Sequence, residues 1–538
     1  MNTQRLLLGD EALALGAINA GLSGAYAYPG TPSTEIMEYI QLHPVTKERG
    51  IHCHWSSNEK TAVEEALGMS YAGKRSLAAM KHVGVNVAAD PLLNSAMTGA
   101  NGGMLVVAAD DPSMHSSQNE QDSRFYADFA MLPMLEPSTQ QEAYSMVRYG
   151  FDLSEKYHIP VMVRMVTRLA HSRGNVTVEI APSPENALSD VHNPRQWVLM
   201  PGNSRVRYKQ LIADYAALAE ESEHSPYNSF TDAPDHSLGI IVSGVAHNYY
   251  RELWEGGQSP WPMVKISQYP LPAEMLRKLV ASCDEVLVIE EGQPFIEQHL
   301  RGVLDENPKI HGRLDGYLPR TGELDPESVR QGVIKLRPDT KALHKPEPAA
   351  ASEVVVPRPP ALCKGCGHRD VYSALNEAVE AYSGAKVFGD IGCYTLGYLA
   401  PFRAIHTVLD MGASITMAKG ASEAGVHPAV AIIGDSTFTH SGMTGLLDAV
   451  NENSDIIVII SDNLTTGMTG GQDSQGTGKL EEICLGLGVN PDHLHTIDSL
   501  PKNHADMVEL FRKEMDYHGL SVVISRRECI QTARRHKK

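Results

Sequence analysis

The sequence predicts a multidomain α/β protein built on doubly wound, mostly parallel sheets. Three observations carry this reading. Short runs of strand length, such as Ala429-Val430-Ala431-Ile432-Ile433 and Ile456 to Ile460, are apolar throughout instead of alternating, as strands covered by helices on both faces must be. Each run ends in small or polar residues, Gly434-Asp435-Ser436 in the first case and Ser461-Asp462-Asn463 in the second. At 538 residues the chain holds three or four domains of ordinary size.

Taken in order, residues 1–192 form the first domain. Ala25-Tyr26-Ala27-Tyr28 and Leu105-Val106-Val107-Ala108-Ala109 read as strands, and Asn58 to Tyr71 reads as a helix with Ala62, Val63, Ala66 and Met69 on one face. Residues 193–340 form a second α/β domain, with strands at 239–244 and 285–290. Residues 341–360 turn rich in Pro, Ala and Glu, including Pro357-Arg358-Pro359-Pro360, and read as a semi-rigid extended linker. Residues 361–538 form the third α/β domain. There is no internal repeat at a solenoid period.

Acidic residues number 65 against 46 basic ones, a balance of −19, which argues against nucleic acid as a partner. No stretch approaches a membrane span, and the apolar run at the amino terminus is too short for a signal peptide, so a cytoplasmic protein is expected. The seven cysteines are an odd number spread over a long chain. They read as thiols in a reducing compartment, some of them candidate metal ligands, and not as a disulfide framework.

The most informative feature is Gly434-Asp435-Ser436, followed 28 positions after its aspartate by Asn463. Two adjacent parallel strands would deliver a carboxylate and an amide oxygen to neighbouring carboxyl ends, where α/β sheets bind ligands. A hard cation that also bridges a diphosphate needs this sparse set, with one backbone carbonyl. Asp435, Asn463 and Thr465 are therefore candidate magnesium ligands, and Gly434 and Ser436 candidate cofactor contacts. A helix starting near Thr439 can turn its free N–H groups toward the phosphates. This is the signature of thiamine diphosphate with Mg2+. Ser436 stands where glycine is usual, and is small enough to allow close backbone approach.

Thiamine chemistry also needs a poorly solvated carboxyl beside the aminopyrimidine, whose own nitrogen removes the thiazolium proton. Glu59, at the start of Lys60-Thr61-Ala62-Val63-Glu64-Glu65-Ala66-Leu67-Gly68, is the candidate. The same position also suits a first-turn glutamate favoured by the helix dipole.

The order of Tyr28-Pro29-Gly30-Thr31-Pro32-Ser33, Asn58-Glu59, the linker, and Cys363-Lys364-Gly365-Cys366-Gly367-His368 resembles the 2-oxoacid:ferredoxin oxidoreductases. His115-Ser116-Ser117-Gln118-Asn119-Glu120-Gln121-Asp122 and Asp390-Ile391-Gly392-Cys393-Tyr394-Thr395-Leu396-Gly397 are similar to the large (alpha) subunit of the indolepyruvate enzymes. The likeness runs from about residue 5 to 530. It implies catalytic roles for Glu59 and Thr31, the latter also readable as a turn residue before Pro32. It places Asp410-Met411-Gly412-Ala413 beside the diphosphate, with Gly412 and Ala413 as cofactor contacts. Lys81, His82 and Asn86 admit either a place near the substrate or a structural one.

Cys363 and Cys366 have the spacing of two ligands to one metal, but a zinc ribbon would want a second such pair. The resemblance implies that Cys363, Cys366, Cys393 and Cys529 hold a 4Fe–4S cluster, with Cys484 a rival for the fourth position. Cys53, Cys283 and Cys484 otherwise read as apolar fillers. Relatives of this type continue into a ferredoxin-like domain with two further cysteine runs. Neither run occurs before Lys538, so electrons are expected to leave through a separate ferredoxin, another acceptor or a partner subunit. The resemblance thus implies oxidative decarboxylation of an arylpyruvate, indolepyruvate first, to an acyl-CoA, in a hetero-oligomer with a smaller second subunit. The alternative is a non-oxidative thiamine-dependent decarboxylase or carboligase.

Overall fold

Strands Gly24–Ala27, Ser76–Lys81, Met104–Asp110 and Val161–Val166 are buried along their whole length, as apolar runs without alternation require. In this computed structural model, which describes residues 3–178, 183–189, 194–303, 309–340, 344, 354–356 and 359–536, they are central to a seven-stranded sheet. Its order is Gln268–Tyr269, Met134–Leu135, Val161–Val166, Met104–Asp110, Ser76–Lys81, Gly24–Ala27, His52–Trp55. Every neighbouring pair is parallel except the edge strand Gln268–Tyr269. A five-stranded sheet lies between residues 229 and 311 and includes Leu238–Ser243 and Glu285–Ile289, where strands were expected. Thr3–Leu8 pairs with Arg173–Val178 in a small antiparallel ribbon.

These three sheets belong to one compact unit, Met1–Ala350, and the remainder forms a second, Ala351–Lys538. The proposed boundary at 192/193 and most of the 341–360 linker lie outside the described residues.

Within the first unit a buried ionic network ties the motif at 115–122 to the second sheet. Arg124 donates to Asp122, to Glu290 at 2.7 Å and to the carbonyls of Glu291 and Gln293. Arg164 donates to Asp110 at 2.6 Å, to Glu136 and to the Glu291 carbonyl. Burial would raise the Asp122 carboxyl, but the Arg124 and Arg164 guanidiniums outweigh it and hold the group down at about 2.

The second unit carries a six-stranded sheet, ordered Thr407–Val408, Lys386–Gly389, Ala429–Gly434, Ile457–Asp462, Ser521–Arg526, Leu494–Asp498. All five pairings are parallel. From Lys386–Gly389 the chain passes to Thr407–Val408 on one side and then to Ala429–Gly434 on the other. That reversal is a topological switch point, where open α/β sheets bind ligands. The helix expected near Thr439 begins earlier, at Asp435, and runs through a π-type turn at Phe438–Gly442 into Met443–Asn451. An acidic residue in a first helical turn is favoured by the exposed N–H groups there, and single π turns recur at functional sites.

Replacing Arg164 by methionine would leave Asp110 and Glu136 buried without their cation. The expected cost is roughly 3–5 kcal/mol, read as a marked fall in thermal unfolding temperature. An unchanged unfolding temperature would show that the network contributes nothing to the fold.

Candidate functional site

In the second unit, the parallel sheet delivers chemistry-bearing residues to its carboxyl edge. Asp390 follows Lys386–Gly389, Asp435 follows Ala429–Gly434, Asn463 follows Ile457–Asp462, and Cys529 follows Ser521–Arg526. Asp435 is only 2% exposed, and its Oδ2 has no hydrogen-bond partner. Burial, with the nearby Asp462 charge, pushes its carboxyl up to about 7 against the Ser474 hydroxyl and the N–H groups of Ser436 and Asn463. A buried carboxylate with one orphaned oxygen suits a bound cation, which would hold it ionised. Asn463 Oδ1 accepts the Thr465 N–H at 3.1 Å, and Thr465 Oγ1 donates to the Gln472 carbonyl at 2.8 Å. The Ser436 and Thr466 hydroxyls are bonded at 2.8 Å. Serine in place of the usual glycine therefore ties the end of one strand to the loop after the next.

Gly412 has φ +94°, and a Cβ there would stand 2.7 Å from Ser441 Cβ, so both conformation and close approach require glycine. It precedes the Ala413–Glu423 helix. Asp390 accepts the N–H groups of Gly412 at 3.2 Å and Ser414 at 3.1 Å, and the Tyr394 hydroxyl. Burial pushes Asp390 up to about 7. Sequence reasoning gave Asp390 no role, although an acid directly after a buried strand was the available signal.

Cys363, Cys366, Cys393 and Cys529 line one cavity, with His368 and Asn463 also in its wall. Cys363 and Cys366 form the turn before the Gly367–Val379 helix, where the Cys366 N–H donates to the Cys363 carbonyl at 3.1 Å. Cys393 opens a 3-10 turn after Gly392. The Cys529 N–H donates to the Asn463 carbonyl at 3.0 Å. A Cβ on Gly467 would stand 3.4 Å from both Cys393 Sγ and Asn463 Nδ2, so that glycine leaves room where the cysteine cavity and the Asn463 loop meet. Cys484 is fully buried among aliphatic side chains and is not among the cavity's lining residues.

Burial pushes the Cys393 thiol up to about 12, with added repulsion from Cys366, Cys529, Cys363 and Asp435. Such thiols lose their protons only to a metal. Among the described residues no three of these sulfurs lie within 4.8 Å of one another, whereas one tetrahedral zinc with ~2.3 Å bonds would hold them about 3.8 Å apart. His368, also unremarked in the sequence beyond its motif, is buried; its Nδ1 lies 2.6 Å from Ser461 Oγ and its Nε2 3.5 Å from Asn463 Nδ2. Burial lowers it to about 4, so it is neutral at pH 7.

In the first unit, the seven-stranded sheet likewise gathers Thr31, Glu59 and Lys81 at its carboxyl edge. Asn58 caps the Glu59–Tyr71 helix by accepting the Thr61 N–H at 2.9 Å, which fixes Glu59 as the first helical residue. Glu59 is 5% exposed. Its carboxyl lies against the backbone of the His82–Thr98 helix at Gly84, where a Cβ would be 2.5 Å from Oε1 and 2.7 Å from Cδ. Lys81 Nζ donates to the Ser116 carbonyl at 2.7 Å, and Ser116 Oγ donates to the Thr31 carbonyl at 3.4 Å. Burial draws Lys81 down to about 8. His82 Nε2 lies 3.3 Å from the Asn119 carbonyl, and Asn86 accepts the Tyr126 hydroxyl.

Comparison with known proteins matches residues 15–219 to the pyruvate flavodoxin/ferredoxin oxidoreductase thiamine diphosphate-binding family. Residues 390–524 match the C-terminal TPP-binding domain of thiamine pyrophosphate enzymes. The chain is 38% identical to indolepyruvate oxidoreductase subunit IorA of Archaeoglobus fulgidus, over 97% of this chain and 86% of that one. It is 37% identical to the IorA subunit of Methanothermobacter thermautotrophicus, over 97% and 86%, and 36% to that of Pyrococcus abyssi, over 97% and 85%. A solved 2-oxoglutarate:ferredoxin oxidoreductase from Magnetococcus marinus, with 2-oxoglutarate, coenzyme A and succinyl-CoA bound, superposes with a TM-score of 0.51 at 19% identity. That match covers 62% of this chain and 65% of that one, and bears on the fold alone. Among the described residues no helix is long and apolar enough to cross a membrane.

Asp435 Oδ2 makes no hydrogen bond, although the carboxyl also meets the Ser436 and Asn463 N–H groups. Asp435→Ala is expected to fold with at most a modest loss of thermal stability without cofactor and to lose retention of thiamine diphosphate through gel filtration. Retention equal to wild type would remove Asp435 from the cation site.

Proposed function

The chain belongs to the indolepyruvate oxidoreductase IorA family of thiamine diphosphate-dependent 2-oxoacid:ferredoxin oxidoreductases, and from that premise we propose that it oxidises an arylpyruvate, indolepyruvate first, to the acyl-CoA. Carbon dioxide would leave and coenzyme A would take the acyl group, with a 4Fe–4S cluster on the four cysteines supplying the path for two electrons to ferredoxin or another acceptor. The observation that carries the oxidative reading is the meeting of the four-cysteine cavity with the Asn463 loop, through the Cys529 N–H bond to the Asn463 carbonyl at 3.0 Å.

Thiamine diphosphate, when bound, supplies the nucleophilic carbon and the electron sink that 2-oxoacid decarboxylation requires. The protein's residues hold and tune it. Asp435, Asn463 and Thr465 hold Mg2+, and Gly434, Ser436, Gly412 and Ala413 border the diphosphate. Glu59, in a place that solvent scarcely reaches, would hydrogen-bond the aminopyrimidine. The Thr31 hydroxyl orients substrate or cofactor. Cys363, Cys366, Cys393 and Cys529 are the cluster thiolates; Cys484, sealed in the aliphatic core, is not a ligand. The subunit designation of the relatives supports a smaller partner chain, and a cytoplasmic hetero-oligomer is part of this reading.

Two measurements test it. Glu59→Gln should slow hydrogen–deuterium exchange at the thiamine C2 by roughly 10²–10⁴-fold while cofactor is still bound. Gly84→Ala should do so in part, because the added methyl occupies the place of the Glu59 carboxyl. Wild-type exchange in Glu59→Gln would exclude that glutamate from the mechanism.

For the reaction class, anaerobically purified protein should carry about four iron atoms per chain and reduce a viologen with arylpyruvate and coenzyme A. Cys366→Ser should abolish acceptor reduction. An iron-free protein that converts arylpyruvate to aldehyde at full rate would instead establish the non-oxidative decarboxylase.

A further inference from the structure

Away from the residues discussed above, three side chains of the first unit converge: a Glu35–His171 pair and Asp10, which has no hydrogen-bond partner. Asp10 lies in the first turn of the Gly9–Asn19 helix and is fully buried. Neither of its carboxylate oxygens has a hydrogen-bond partner. Glu35, in the first turn of the Thr34–Leu42 helix, also has an oxygen, Oε2, shut off from solvent and without a hydrogen bond. His171, the last residue of the Thr167–His171 helix, brings Nε2 to 3.5 Å from that oxygen. One oxygen of Asp10, one of Glu35 and one ring nitrogen of His171 all lie within 4.8 Å of one another.

The neighbouring acid does not explain the cluster. Glu11 is engaged elsewhere, accepting the Leu8 N–H at 2.8 Å and Arg173 at 3.5 Å. Among the described residues no lysine or arginine pairs with Asp10 or Glu35. Buried carboxylates are ordinarily paired or bound to a metal, because an ionised oxygen without a partner is costly to desolvate. The 3.5 Å between Glu35 and His171 is close to the spacing of two ligands on one ion with bonds of roughly 2.0–2.2 Å. Two carboxylates with one imidazole suit first-row divalent ions better than calcium, which prefers oxygen alone.

We propose that Asp10, Glu35 and His171 form a divalent-cation site, filled by an ion of the manganese or zinc class, that fastens the Gly9–Asn19, Thr34–Leu42 and Thr167–His171 helices together. The site does not rest on the thiamine diphosphate reading, since none of its three ligands is among the residues that reading uses.

The test uses the full chain, stripped with a chelator and titrated with Mn2+ alone, without thiamine diphosphate, while electron paramagnetic resonance counts the free ion. Wild type should bind about one tightly held Mn2+ in competition with Zn2+, and the ion should raise the unfolding temperature. Asp10→Asn and Glu35→Gln should each lose that ion and the thermal shift. Metal-free Asp10→Asn should unfold no lower than metal-free wild type, because the amide removes a buried charge. Asp435→Asn and His518→Ala should bind as wild type does; the latter controls for the cluster of His427, Asp455 and His518 on the second unit. Should Asp10→Asn fail to fold, the half-buried Glu35→Gln decides the question alone. No bound Mn2+, full binding in Glu35→Gln, or loss in Asp435→Asn or His518→Ala would overturn the proposal.

Discussion

The polarity of a parallel sheet is the constraint on which the rest depends. Because all six strands of the second unit run the same way, their carboxyl ends open on one edge, and residues far apart in the chain become neighbours there. Asp390, Asp435, Asn463 and Cys529 arrive from four adjacent strands. The same edge excludes water, and the two carboxyls feel it: Asp390 and Asp435 are both pushed up to about 7. Asp390 is met by two backbone N–H groups and a tyrosine hydroxyl. Asp435 keeps an oxygen unanswered. Both acids meet two backbone N–H groups, and Asp435 alone of the two is left with a fully unpartnered oxygen beside them once Asp390 has taken the tyrosine hydroxyl.

Much of this edge was legible in the sequence, for a physical reason. Apolar runs that end in polar residues mark both a buried strand and its carboxyl end, so Asp435 and Asn463 could be placed side by side from spacing alone. Glu59 was legible as a first-turn acid because it opens an amphipathic helical run, read from Asn58, and the structure makes Asn58 the cap of that helix. The α/β class followed from the same runs.

What the sequence concealed is what depends on strand order and packing. Cys529 lies 136 residues after Cys393, and nothing local distinguishes it from Cys484 as a partner. The pairing of Ser521–Arg526 beside Ile457–Asp462 brings Cys529 to the Asn463 loop, while Cys484 sinks into the aliphatic layer. Gly84 was silent because its meaning is the space it leaves for the Glu59 carboxyl. His368 and Asp390 were quoted within motifs but given no role, since burial decides theirs. The helix start was misplaced by four residues, at Thr439 instead of Asp435, because the chain turns helical immediately at the aspartate. The Arg124 and Arg164 network, wholly buried, joins segments more than a hundred residues apart and leaves no periodic trace.

The central claim is that carbon chemistry and electron removal are joined in this one chain. It is tested most directly by a single turnover of anaerobic enzyme with indolepyruvate and coenzyme A, with no added acceptor, followed by electron paramagnetic resonance. The account requires a reduced-cluster signal that grows with substrate and is absent in Cys393→Ser, with acyl-CoA completed once a viologen is added to take the second electron, and no free aldehyde. Enzyme that stays silent while releasing an equivalent of aldehyde would contradict it.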